Sequence, residues 1–282
     1  MAISAAAVLV FVGRLPEPRP MIPVSRGEFD RAYWTRVAEE RGSAQAYAAF
    51  TDAYADDAER THAMAHLMGD IMFEQEGADA LLLCDGSFGF GCYHQVSLRA
   101  VLEAADPSEV GSLCSETVSA AACAHGLGHG LAVAYRGQLD AAFLVCQGTV
   151  DRASACARGV FMEWLVPIEA RFAQGGNGLI PPDPDRPYVP CEMTASFRPE
   201  CYFSLPQWWF AHARSIGDVL ALCESAPLAV RLDCFAGIGI TLPALLGYDR
   251  RLIADACRAA ASAAGADACI EESMRTLASL QK

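Results

Sequence analysis

Residues 139–165, LDAAFLVCQGTVDRASACARGVFMEWL, set Cys146 and Cys156 at the inner ends of two apolar-periodic segments of unequal length. The first, LDAAFLVC, is a short amphipathic run that ends at its cysteine. A turn-rich link containing Gly148 and Thr149 follows, and the second cysteine opens a longer helix-forming run, CARGVFMEWL. Two such runs joined by a short link read as an αα-hairpin, with a shorter A helix and a longer B helix. The link lets the end of A lie beside the start of B, so a bridge between Cys146 and Cys156 would staple the hairpin.

The same unit recurs along the chain. The twelve cysteines fall into the successive pairs 84/92, 114/123, 146/156, 191/201, 223/234 and 257/269. Intervening gaps grow gently from 7 to 11 residues, and the second cysteines recur at steps of 31, 33, 45, 33 and 35. A period of that size in a chain rich in helix formers is the signature of stacked αα-hairpins, which bury their apolar faces only against neighbours. No C-x-x-C occurs, so an even count without metal spacing reads as hairpin-internal disulfides formed in an oxidising compartment; buried free thiols are the alternative. Upstream, 44–75 reads as a further hairpin without cysteines, with Arg60 at the position of a second cysteine, and a helix over 28–41 caps the array. The expected fold is therefore all-α: about seven tandem hairpins in an open solenoid or a closed toroid whose B helices ring a central funnel. The one long step comes from an irregular insertion at about 173–190, where GGNGLIPPDPDRPYVP (175–190) carries five of the 15 prolines and cannot be helical.

The cysteine spacing resembles that of the disulfide-bridged, cysteine-rich Sel1-like repeats of secreted proteins, over residues 76–282. That resemblance implies αα-repeats whose two helices are tied by the paired cysteines. Cys-Tyr-His (92–94), Cys-Ala-His-Gly-Leu-Gly-His (123–129) and Gly-Val-Phe-Met-Glu (159–163) are also similar to motifs in bacterial secreted proteins of unassigned activity, and imply none here.

The chain has 282 residues, 53% apolar and 20% charged, which is enough to build a large core. A formal net charge of −13 with no basic stretch excludes sequence-independent binding to nucleic acid. No run of 18 apolar residues occurs, which excludes a polytopic membrane protein. The first 25 residues combine an apolar run (2–12) with Pro16, Pro18, Pro20 and Pro23, and read as a signal or anchor segment followed by a linker. This leaves N-terminal membrane attachment open, places the protein outside the cytoplasm and leaves 26–282 as a single α-helical repeat domain.

The histidines carry the chemistry. Five of the six share one register of the repeat: counted from the second cysteine (or from Arg60), His62, His94 and His125 stand at +2, and His66 and His129 at +6. Positions four apart lie one above the other on a helix, so each pair points to one side. Asp70 extends the first pair to H-x-x-x-H-x-x-x-D, adding a carboxylate as a ligand or as a group that orients one. If B helices line the inner surface, the set converges, and convergent imidazoles suit Cu, Zn or Fe, as one ion or two. Haem fits less well, because i,i+4 imidazoles are too close to be opposite axial ligands of one iron. The +2 and +6 positions then change to Arg158 and Met162, and to Phe203 and Gln207, which confines the cluster to the first half of the array. Glu163, at +7, is a candidate rim carboxylate or base, and Arg158 a candidate substrate-binding group. His212, at +11, faces elsewhere and reads as an ordinary surface histidine.

These residues point to an extracytoplasmic metal-binding α-repeat protein acting on a small-molecule or peptide substrate, as an oxidoreductase or a hydrolase. The alternative is a secreted solenoid that grips a peptide or protein, with the histidines structural.

Overall fold

In a computed structural model, the structure describes residues 30–54, 58–103, 106–136, 138–149, 152–166, 183, 185–212 and 214–280. The expected leader at 1–25 and most of the insertion lie outside them. Every regular element among the described residues is helical.

Helix α1 (Arg31–Arg41) starts where the Asp30 carboxylate accepts a hydrogen bond from the Tyr33 amide. Gly42, at φ +84°, then turns the chain sharply into α2 (Ser43–Ala53), which packs with α1 against α3 (Ala58–Glu76). Next come 3-10 segments at Gly77–Leu82 and Ser87–Phe90, and then α4 (Gly91–Glu103). Two hairpins follow: α5 (Pro107–Cys114) with α6 (Ala120–Ala134), and α7 (Leu139–Gly148) with α8 (Ala153–Leu165). The remainder is α9 (Val189–Glu192) with α10 (Arg198–Ala211), α11 (Ile216–Ser225) with α12 (Arg231–Leu245), and α13 (Arg250–Arg258) with α14 (Ala263–Leu280).

All six expected cysteine pairs are bonded, each bridging a short first segment to the helix that follows, with Cα–Cα separations of 5.3 to 5.6 Å. That framework belongs to an oxidising, extracytoplasmic location. The bridges also stand where side-chain caps are missing. Helices α5, α11 and α13 open on the side chains of Asp106, Ser215 and Asp249, whereas α6, α8, α10 and α12 have no side-chain cap. The second cysteine lies in the first turns of each of these four, so the disulfide fixes an end that hydrogen bonding leaves loose.

Two local expectations are corrected. The segment before Cys84 is 3-10 rather than α, because Gly77 at φ +61° ends α3 and leaves too few residues to restart a full helix. Before Cys191 the short helix shrinks to the single turn of α9, where the proline-rich insertion runs into it.

The longer helices pack in chain order, α3 on α4, α4 on α6, α6 on α8, α8 on α10, α10 on α12 and α12 on α14. Glycines make this contact unusually close. A Cβ on Gly128 would lie 2.0 Å from the Cys156 carbonyl oxygen, and one on Gly159 would lie 2.0 Å from that of His125. Each helical glycine costs about 1 kcal/mol relative to alanine; here it allows backbone to touch backbone and brings the side chains of adjacent helices within reach. The last helix, α14, also packs on Ser87–Phe90, joining the end of the chain to its first third. No described helix is long and apolar enough to cross a membrane.

Candidate metal centre

Three adjacent helices supply five histidines: α3 gives His62 and His66, α4 gives His94, and α6 gives His125 and His129. Their rings form one contiguous cluster. Centroids are 4.8 Å apart within each i,i+4 pair, and His94 stands 4.9 to 5.4 Å from all four others. Among the described residues, two groups of three could hold a metal ion, His62–His66–His94 and His94–His125–His129; ligand atoms lie within 4.8 Å of one another in each, and His94 belongs to both.

Hydrogen bonding sets which nitrogen of the outer rings is available. His62 Nδ1 donates to the Phe88 carbonyl at 2.8 Å, and His129 Nδ1 donates to Glu163 Oε2 at 3.1 Å. A neutral imidazole that donates from Nδ1 carries its lone pair on Nε2. Those Nε2 atoms face their partners' Nε2, at 3.1 Å for His62–His66 and 3.2 Å for His125–His129. Metal–nitrogen bonds of 2.0–2.1 Å put the edge of a tetrahedral shell at about 3.3 Å, close to both separations. Between the pairs, the buried His94 Nε2 has no hydrogen-bond partner in the protein. An unsatisfied buried nitrogen costs roughly 1–3 kcal/mol unless something binds it.

Two of the rings, His94 and His125, are held neutral. Burial, followed by the neighbouring His129, His125, His62 and His66, pushes His94 well below the ordinary histidine range. Burial also lowers His125 to about 3, with His129 and Arg158 adding to the fall and a hydrogen bond to the Ala155 backbone opposing it. Neutral imidazole is the form that ligates metal. The donor set therefore fits a transition metal: nitrogen ligands, a buried orphan atom at the centre and oriented rings around it.

Two carboxylates stand elsewhere than the sequence suggested. Asp70 is not in the cluster; it is ion-paired with Arg31 of α1 and Arg99 of α4 and accepts a further hydrogen bond from Gln95. One helical turn beyond His66, it has passed the rings and meets guanidinium groups on the flanking helices. Glu163 is not on a rim but buried, 2% exposed, against His129. Its +7 position faces the preceding helix, as do the +3 glycines, so it reaches back to α6; only the order of stacking reveals that. Sequence carries no signal for the Phe88 carbonyl. Phe88, Gly89 and Phe90 all have positive φ, a strained turn that aims this oxygen at His62.

Arg158 lies beside the cluster, its guanidinium carbon 4.0 Å from the centroid of the Phe203 ring. With His125, Met162, Gln207 and Ile240 it lines a small depression of about 20 Å³. A larger groove of about 330 Å³, lined by Glu109, Val110 and Glu116, contains no histidine. His212 caps the end of α10, where its Nδ1 donates to the Trp208 carbonyl. Compared with known proteins, the chain matches no family model, no curated protein and no solved structure.

Proposed function

We propose that this protein is an extracytoplasmic α-repeat protein, its hairpins closed into a ring, that holds one or two transition-metal ions (Cu, Zn or Fe) on His62, His66, His94, His125 and His129. The observation that carries the reading is the buried, unpartnered His94 Nε2 between two pairs of Nε2 atoms 3.1 and 3.2 Å apart. The contact of α14 with Ser87–Phe90 supports the ring. A metal held there would supply one-electron chemistry or Lewis acidity. Phe88 and Glu163 hold His62 and His129 in the tautomer that presents Nε2. The geometry favours redox work over hydrolysis. Hydrolysis calls for a general base beside the metal, and the two carboxylates that the sequence offered for that role are engaged elsewhere, Glu163 with His129 and Asp70 with Arg31 and Arg99.

The test is elemental mass spectrometry on protein purified from an oxidising compartment without a polyhistidine tag. One or two equivalents of metal are expected, lost in the His125→Ala/His129→Ala variant while helical content stays. Full occupancy in that variant would refute the site.

A second reading, a scaffold that binds a peptide or protein, draws support from Val118, Met193 and Leu228. Each lies between the two cysteines of a pair and is 77% to 80% exposed. It predicts a protein that takes up no metal when offered it.

A further inference from the structure

We infer that the depression beside His125 is a subsite for the carboxylate of a small organic acid, with Arg158 as its anchor. The inference deepens the proposed metal centre by naming the class of its substrate, and it rests on that reading for the word substrate; binding itself does not require the metal.

The depression is built from the same register as the cluster. Arg158 and Phe203 stand at +2 on α8 and α10, and Met162, Gln207 and Ile240 at +6 on α8, α10 and α12, so these groups continue around the face that carries the histidines. His125 is common to both features: it belongs to one histidine triad and it lines the depression. A group bound here is therefore next to a candidate ligand.

Arg158 is short of acceptors. Its Nε is buried without a hydrogen-bond partner, and its guanidinium carbon lies over the Phe203 ring, 4.0 Å from the centroid. Among the described residues no carboxylate comes within ion-pair distance of it. Asp233 is the acid that senses it: burial raises that carboxyl's pKa and the charge of Arg158 lowers it. A guanidinium clamped on an aromatic face with an unmatched donor is pre-organised for a planar two-oxygen acceptor. The remaining walls give such an acid a body. Met162, Phe203 and Ile240 are apolar, while Gln207 and Ser204 add polar side chains beside His125, the Ser204 hydroxyl donating to the Glu200 carbonyl. The free space, about 20 Å³, holds one small head group, so the rest of the acid must extend outward. A single cation in so small a space fits a monoanionic carboxylate better than a phosphate, which gathers several donors.

Saturation-transfer NMR with benzoate, its neutral analogue benzamide and inorganic phosphate, on metal-free and metal-loaded protein, tests this. Benzoate should bind at least ten-fold more tightly than benzamide, Arg158→Gln should abolish that preference, and Ile240→Phe, which fills the depression and keeps the charge, should weaken benzoate binding. Thermal melting of both variants separates loss of binding from loss of fold. Equal binding of benzoate and benzamide, or a preference retained in folded Arg158→Gln, would overturn the subsite, as would phosphate binding in place of benzoate. Benzoate binding to a protein that takes up no metal would keep the subsite while removing the metal centre. A metal-loaded protein indifferent to benzoate would sink the subsite alone.

Discussion

His62 and His129 are held from outside by groups of different origin, a backbone carbonyl in a strained turn and a buried carboxylate on the next helix. Partners of this kind fix ring orientation and raise ligand basicity, and losing one typically costs 10–100-fold in metal affinity. Glu163→Gln, which keeps the shape and removes the charge, should therefore weaken metal binding by about ten-fold and Glu163→Ala by up to about a hundred-fold, read by chelator competition. Unchanged affinity in both would remove Glu163 from the site. The same burial makes the metal-free protein sensitive to acid. The pKa values of His94 and His125 are depressed in the fold, the latter to about 3, whereas the unfolded chain takes up protons near 6.5. The stability of the neutral rings is thus complete above about pH 6.5 and is lost as pH falls toward 3, at a rate on the order of 1 kcal/mol per pH unit for each ring. Urea midpoints measured with a chelator at pH 7.5, 6 and 5 should decline in that order. A flat series would contradict burial of neutral rings.

Between elements, the glycines decide how close the histidines come. Gly159 sits three residues after Cys156 and its missing Cβ makes room for the His125 carbonyl; Gly128, five after Cys123, does the same for the Cys156 carbonyl. Gly159→Ala must push α8 away from α6, and with it Glu163 from His129, at a cost of roughly 1–3 kcal/mol for overpacking. Gly148→Ala is the control: nothing lies within 4 Å of its Cβ, and it should be neutral or stabilise by about 0.5–1 kcal/mol. Denaturant midpoints give both values, and equal effects would mean that the close approach is not needed. The hairpins themselves were legible because a disulfide can join the end of one helix to the start of the next only over a short link, which the cysteine spacing records. The 3-10 segment Gly77–Leu82 and the one-turn α9 were not, since each is set by what precedes it, a left-handed glycine and a proline-rich insertion.

Over the whole molecule, six short-loop disulfides contribute roughly 2–3 kcal/mol each through the unfolded state, together comparable to or above the 5–15 kcal/mol that ordinary domains possess. The reduced and alkylated chain should be largely unfolded at 37 °C, as circular dichroism would show; a native helical spectrum would mean that interhelical packing alone suffices. The buried core runs from Trp34 to Leu277 and includes all twelve half-cystines, with successive long helices packed side by side, so loss of one bridge should propagate to adjacent hairpins.

By itself, the sequence determined the helical class, the six disulfides and the register that puts five histidines on equivalent faces, because each depends on spacing along one chain or around one helix. Which groups meet across helices was decided by the tertiary structure alone. Stacking order turned Glu163 inward onto His129, the flanking arginines drew Asp70 away, and the turn at Phe88 supplied an oxygen that no side chain announces. Those contacts depend on the direction in which one helix faces the next, and spacing within a helix does not encode that direction.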